Sequence, residues 1–367
     1  MNSQILRPVT SQSKARLYAN VNLNKNQEYY DYENLKIDWG HQENYEVLRK
    51  IGRGKYADIF AGINIVSNEK VVIKALKPIK KQKIRREIKI LRCLQGSCSI
   101  PRIFDVIEDK PSKTISLILE YFENQEYKTL MKQLTDFEVR YYMYELLKTL
   151  DYAHSHGIMH RDIKPNNIMI DHSQRKLALI DWGLSEFYVP GTPYHCRVGT
   201  RYYKAPELLF NYQYYDYSLD MWAFGTVFAG IIFQKEPFFH GHDNLDQIVK
   251  IIRVLGTETL RSYIDKFDLE IEPQLEEAVG LYPKRGWNKF IDPERKELAG
   301  PEAIDLLSHI LRYDHEQRTL PSEAMRHEYF EPVREMWKQV KAGVLSYDSE
   351  SSEYKTGRIL IDNPITY

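Results

Sequence analysis

The chain has 367 residues, 43% hydrophobic content and 51 basic residues balanced by 51 acidic ones, which is enough material to bury a substantial core in two lobes. Overall neutrality argues against a nucleic-acid binder, and the longest uncharged apolar stretch, Met221 to Phe233 between Asp220 and Lys235, is too short for a bilayer and reads as a buried helix. Cys93, Cys98 and Cys196 are odd in number and lack zinc spacing, so reduced thiols in the cytosol or nucleus are expected.

In chain order, residues 1–44 are polar but rich in aromatics, and Tyr29, Tyr30, Tyr32 and Trp39 make this segment too apolar for a purely disordered tail. It is predicted to pack on the core that follows. The opening Met1-Asn2-Ser3-Gln4 carries no signal-like apolar run. From Val47 an apolar strand runs into Ile51-Gly52-Arg53-Gly54-Lys55-Tyr56, where two glycines let backbone approach phosphates closely. Ala57 stands where a third glycine is expected, and an ordinary hairpin turn fits these residues equally well on their own. Val71 to Leu76 is a β-type run whose one charge, Lys74, sits among apolar neighbours. On a helix from about Lys81 to Leu94, the apolar stripe of Ile84, Ile88, Ile90, Leu91 and Leu94 encloses Glu87. An unpaired buried carboxylate costs several kcal/mol or more, so a Lys74–Glu87 ion pair is predicted. Residues 45–120 read as strands with this one helix, about 120–123 as a hinge, and 124–330 as mainly helical.

The densest chemistry is His160-Arg161-Asp162-Ile163-Lys164-Pro165-Asn166-Asn167, followed by Asp181-Trp182-Gly183. Ile168-Met169-Ile170 and Leu177-Ala178-Leu179-Ile180 read as short buried strands around it. Two carboxylates, an amide and fixed cations at this spacing suit phosphoryl transfer, whose transition state needs positioning and charge compensation. In that chemistry Asp162 orients or accepts the proton of a hydroxyl, Lys164 faces the moving phosphate, Lys74 and Glu87 pair, and Asn167 and Asp181 coordinate Mg²⁺. Two basic clusters bracket these residues. One packs seven cations between Lys74 and Arg86, including Lys80, Lys81 and Lys83, and the other is Arg197, Arg201 and Lys204 ahead of Ala205-Pro206-Glu207. Docking of acidic substrates is the sharper reading of these clusters, and a solvated face or nuclear-import signal the plainer one. Beyond Phe330 a short helix with Trp337 is expected, then a Ser/Glu-rich mobile tail, giving units 1–44, 45–330 and 331–367.

These residues resemble the catalytic alpha subunit of casein kinase II, a family of eukaryotic protein kinases. The likeness runs from Ala15-Arg16 and Glu28-Tyr29-Tyr30-Asp31-Tyr32-Glu33 to His327-Glu328-Tyr329-Phe330. It is carried by Trp182 in place of the usual phenylalanine, the Gly52-Arg53-Gly54-Lys55-Tyr56 loop, the run from Lys77 to Arg86, Tyr217-Ser218-Leu219-Asp220-Met221-Trp222, and Lys235 through Asn244. The resemblance implies a bilobal α+β protein kinase fold with a small β-rich lobe and a larger helical one. It implies nucleotide contacts at Ile51, Gly52, Arg53, Gly54, Lys55, Tyr56, Ile59, Val72, Lys74, Glu120, Phe122 and Met169. It also implies Ser/Thr phosphorylation in acidic contexts from ATP and also GTP with Mg²⁺, activity without activation-segment phosphorylation, and assembly with a regulatory beta-subunit dimer into a heterotetramer in cytoplasm and nucleus. Neither nucleic acid nor membrane is an expected partner. Val47 and Phe60 stand where that family meets the beta subunit, or serve as ordinary strand residues. Gln82, Gly199-Thr200, Tyr203, Ala205, Leu119 and Phe122 depart from the family's wording. A related kinase activated through Thr200, Tyr202 or Tyr203, a small-molecule phosphotransferase and a scaffold without chemistry are the competing readings.

Overall fold

The computed structural model describes residues 12–271 and 273–342. After a short helix α1 (Gln27–Tyr30), strands β1 (Tyr45–Arg53), β2 (Ala57–Asn64), β3 (Glu69–Leu76), β4 (Ile103–Asp109) and β5 (Thr114–Glu120) form one antiparallel sheet in the order β1-β2-β3-β5-β4. Alternation along β3 sends Val71 and Ile73 to one face, where they meet Ile107 and Ile118, and Val72 and Lys74 to the other. Helix α2 (Lys81–Cys93) buries Ile84, Glu87, Ile88, Ile90 and Leu91 and ends one residue earlier than the periodicity predicts, with Leu94 as its cap.

The second lobe is mostly helical, with α3 (Tyr127–Gln133), α4 (Asp136–Ser155), α5 (Pro206–Leu209), α6 (Ser218–Ile232), α7 (Asn244–Leu255), α8 (Glu258–Phe267), α9 (Pro273–Ala278), α10 (Pro301–Ile310), α11 (Pro321–Ala324) and α12 (Glu331–Lys341). Thr135 and Glu138 form a capping box that starts α4. Every residue of α6 is buried, as an all-round apolar helix requires. Between the helices run the short strands β6 (Ile158–Met159), β7 (Ile168–Asp171), β8 (Lys176–Leu179) and β9 (Glu186–Phe187), with β6 pairing β9 and β7 pairing β8. The bilobal α+β architecture is therefore present. Among the described residues no helix is long and apolar enough to cross a membrane, and the three cysteines are free. The expected tail falls at positions 343–367, outside the described residues.

The amino-terminal segment lies against both lobes. Asn22 Nδ2 donates to the carbonyls of Gly157 and Tyr188 at 2.8 Å each, the Ala15 amide donates to the Tyr188 hydroxyl at 2.9 Å, and the Tyr29 and Tyr32 rings pack on Phe187. Tyr32 also carries the Arg86 guanidinium of α2 over its ring. Residues 1–11 lie outside the described part.

One fully buried ion pair braces the helical lobe. Arg318 donates through both terminal nitrogens to Glu207 at 2.6 Å, and adds bonds to the carbonyls of Arg312, Tyr313 and Ser218. Burial pushes the Glu207 carboxyl up, but Arg318 outweighs it and the pKa is lowered. Replacing Glu207 by Gln strands a guanidinium with no access to water, and should lower unfolding stability by about 3–5 kcal/mol. Urea denaturation would measure this, and a loss below about 1 kcal/mol would mean that the pair is replaceable by hydration.

Candidate active site

Three elements meet at Lys74. Its ammonium donates to Glu87 Oε1 of α2 and to Asp181 Oδ1, just past β8, at 2.7 Å each. Lys74 is 8% exposed and Glu87 4%, whereas the Asp181 side chain is 46% exposed and faces the cleft. Burial alone pushes the Lys74 ammonium down, but Glu87 and Asp181 outweigh it and raise the pKa above its ordinary value. Lys74 in turn holds the Asp181 carboxyl below the usual range against the opposing effect of burial. The ion pair expected from the helix stripe is present, and its second carboxylate is a contact that sequence reasoning did not anticipate.

The next residues hold Asp181 in place. Asp181 adopts left-handed backbone angles (φ 61°, ψ 67°), a conformation that Asp tolerates better than most residues. Trp182 is fully buried, donates its indole N–H to the Leu179 carbonyl at 2.9 Å and meets His160 edge to face. A Cβ on Gly183 would come within 3.1 Å of Glu87 Oε2, so only a glycine leaves that carboxylate undisturbed.

The loop after β6 is pinned from below by Asp220. This buried carboxylate accepts the amides of His160 and Arg161 at 2.8 Å each and pairs with His154 Nε2 at 3.0 Å. Arg161 is also left-handed (φ 68°), and its side chain donates to the Leu184 carbonyl at 2.7 Å and the Tyr215 hydroxyl at 3.0 Å. Asp162 then faces the cleft with both oxygens engaged. Thr200 Oγ1 donates to Oδ1 at 2.8 Å, while Lys164 Nζ donates to Oδ2 at 2.6 Å and to Thr200 at 3.1 Å. Asn167 Nδ2 donates to the Asp162 carbonyl at 2.8 Å, which fixes the amide. Among the described residues Asn167 Oδ1 and Asp181 Oδ2 accept no hydrogen bond, so two hard oxygens suited to Mg²⁺ remain available. Thr200 and Asp220 as supports had no distinct signal in the chain, where Asp220 reads only as the charge that bounds the apolar run from Met221 to Phe233.

Of the predicted nucleotide contacts, Gly52, Ile59, Val72 and Lys74 share one face of the sheet. Register places Gly52 opposite Ile59, Ile59 opposite Lys74, and Val72 opposite Leu119. Ile51 sits in a β1 irregularity, and Met169 on β7 points away from its buried neighbours Ile168 and Ile170. Glu120 gives its carboxylate to Arg102, with Nε at 3.2 Å, and its amide donates to the Arg102 carbonyl at 2.9 Å; Phe122 is half-buried. Arg53 and Lys55 are exposed, with Arg53 Nε 3.9 Å from Asp58 and Lys55 over the Tyr56 ring.

The two basic clusters are less uniform than the sequence implies. Lys80 and Lys81 are exposed and, among the described residues, their ammonium groups have no partner, while the exposed Lys83 lies over the Tyr56 ring. Arg85 and Arg86 do not belong to that open face: Arg85 donates to the Glu33 carbonyl, and Arg86 pairs with Glu186 at 2.6 Å. Gln82 meets the Glu33 carboxylate and does more than interrupt the lysine run. In the second cluster Arg197 is exposed without a partner among the described residues, Arg201 donates to the His242 carbonyl, and Lys204 is half-buried, its pKa lowered by burial, next to Asp162 in a small cleft with Gly199 and Tyr203.

A family model described as the protein kinase domain matches residues 45–330.

Burial pushes the His160 imidazole pKa below its ordinary 6.5, against the pull of Asp220 and Asp162. The geometry agrees with a neutral ring, since Nδ1 accepts the Asp162 amide and Nε2 donates to the Ile180 carbonyl. Below that ordinary value the unfolded chain takes a proton that the folded site refuses, so this contribution is complete above it and is lost as pH falls. The urea midpoint of the wild type should therefore drop between about pH 7.5 and pH 5.5, and drop less in His160→Asn. Equal slopes would show that the imidazole is charged in the folded protein.

Proposed function

The chain belongs to the protein kinase family, and we propose that it transfers the γ-phosphate of ATP, and also of GTP, to serine or threonine in acidic protein contexts, without phosphorylation of its own activation segment. The observation that carries the phosphotransfer reading is the convergence on one cleft of the Lys74–Glu87–Asp181 triad with Asp162, Lys164 and Asn167. Asp162, held at one oxygen by Thr200 and at the other by Lys164, orients the substrate hydroxyl and takes its proton as the oxygen–phosphorus bond forms and the bond to the departing nucleoside diphosphate breaks. Lys164 faces the transferring phosphoryl group, and Lys74, fixed by Glu87, holds phosphate oxygens of the nucleotide. Asn167 and Asp181 would hold Mg²⁺, which when bound would supply charge neutralisation on those phosphates. The sheet face with Gly52, Ile59 and Val72 covers the nucleotide from above.

Three observations favour the finer reading. The open cations Lys80, Lys81 and Arg197 suit acidic residues around the target. Glu186 pairs with Arg86 at 2.6 Å and with Arg161 at 3.6 Å, so an internal carboxylate joins α2 to the catalytic loop where another kinase would need a phosphate. Thr200 is engaged by Asp162 and Tyr203 is buried against Glu236, which disfavours both as switch sites. On the outer sheet face Val47 is 54% exposed beside the Tyr45 and Phe60 cluster, a surface consistent with a regulatory beta-subunit dimer. Cytoplasm and nucleus are the proposed compartments.

Three measurements test the reading. Asp162→Asn should lower kcat by at least about 100-fold while Mg²⁺-ATP affinity stays within about twofold; a parallel loss of affinity would place Asp162 on the nucleotide. The unphosphorylated wild type should phosphorylate a serine peptide with an acidic run far better than one with a basic run. Combined Lys80→Ala and Lys81→Ala should raise KM for the acidic peptide alone by about threefold to tenfold. Equal use of both peptides would sink the acidic-context proposal.

A further inference from the structure

The cations between Lys74 and Arg86 divide by what their charges meet, and Lys77 goes somewhere unexpected. Its amide donates to the Tyr56 carbonyl at 2.9 Å, and its ammonium donates to the Gly54 carbonyl at 2.6 Å. One residue just beyond β3 therefore holds the β1–β2 turn by main chain and side chain together. Asp58 lies 3.8 Å from the same ammonium and 3.0 Å from Lys50, which keeps the cation over the turn.

The consequence is for the tip of the loop. The Gly54 amide donates to the Ala57 carbonyl at 2.8 Å, so both polar groups of Gly54 are used. In this form the amides of Lys55 and Tyr56 have no acceptor among the described residues. Successive free N–H groups at a turn are what phosphate oxygens require. Without the Lys77 bond, a turn with Gly52 and Gly54 would have many backbone conformations open to it.

We propose that Lys77 is a positioning residue for the nucleotide, acting through its bond to the Gly54 carbonyl, which holds the turn so that the Lys55 and Tyr56 amides face the phosphates. This removes Lys77 from the substrate-docking surface that its place in a lysine run implies. It rests on the reading of residues 51–56 as a phosphate loop. The bond is charge-assisted, but the lysine side chain is 32% exposed, so solvent weakens it.

Calorimetric titration of the full chain with Mg²⁺-ATP and, separately, with adenosine distinguishes the possibilities. Lys77→Met should bind Mg²⁺-ATP about fivefold to tenfold more weakly and adenosine within about twofold of wild type. Lys77→Arg, whose guanidinium still donates to a carbonyl, should recover most of the loss. Unchanged Mg²⁺-ATP binding by Lys77→Met, equal losses for both ligands, or no recovery by Lys77→Arg would each overturn the proposal. A wild-type protein that binds adenosine no less tightly than Mg²⁺-ATP would bring down the phosphate-loop reading itself, and the proposal with it.

Discussion

A lysine shared by two carboxylates is the constraint on which the cleft depends. Lys74 belongs to β3, Glu87 to α2 and Asp181 to the segment after β8, so a single ammonium sets the distance between sheet, helix and helical lobe. Such a cluster is costly to desolvate, and a buried pair is by itself weak evidence for stability. What it does give is geometry. With Glu87 almost wholly buried and Asp181 half in solvent, the triad is rigid on one side and open to a ligand on the other. Gly183 belongs to the same constraint, because a side chain there would press on the Glu87 carboxylate.

A second anion does for the catalytic loop what Lys74 does for the lobes. Asp220 opens α6, the most apolar helix of the chain, and receives two consecutive backbone amides and a histidine. Those bonds hold Arg161 in its left-handed conformation, a strained state for a residue with a side chain. The turn that results sends the Arg161 side chain back to Leu184, Tyr215 and Glu186 and Asp162 forward to the cleft. Strain at Arg161 and at Asp181 thus lies on either side of the reacting groups, and each strained residue is fixed by a buried neighbour: Arg161 by Asp220, Asp181 by Lys74.

The chain's periodicity foretold more of the fold than of the site. Glu87 within an apolar helix stripe pointed to Lys74 because a buried carboxylate needs a cation, and the same reasoning found α6 and the strands around Asp162. It missed Asp181 as the second partner of Lys74, since a contact of such long sequence separation leaves no local periodicity to read. It also treated the basic run as one face. The helix turns by 100° per residue, so cations close in sequence diverge in space: Arg86 goes inward to Glu186, Arg85 goes to the amino-terminal segment, and among the described residues Lys80 and Lys81 alone in this run stay unpartnered.

That divergence divides the basic run between an interior network and an exposed surface. Inside, Glu186 pairs with both Arg86 and Arg161 and offsets one of their two charges, and the Tyr32 ring covers the Arg86 guanidinium. Glu186 is followed by Phe187, which packs against Tyr29 and Tyr32, so the amino-terminal segment closes over the ion pairs that link α2 to the catalytic loop. Excluding water there strengthens those pairs. The link between α2 and the catalytic loop is thus held by an internal carboxylate under an aromatic cover, while Lys80 and Lys81 stay exposed outside it.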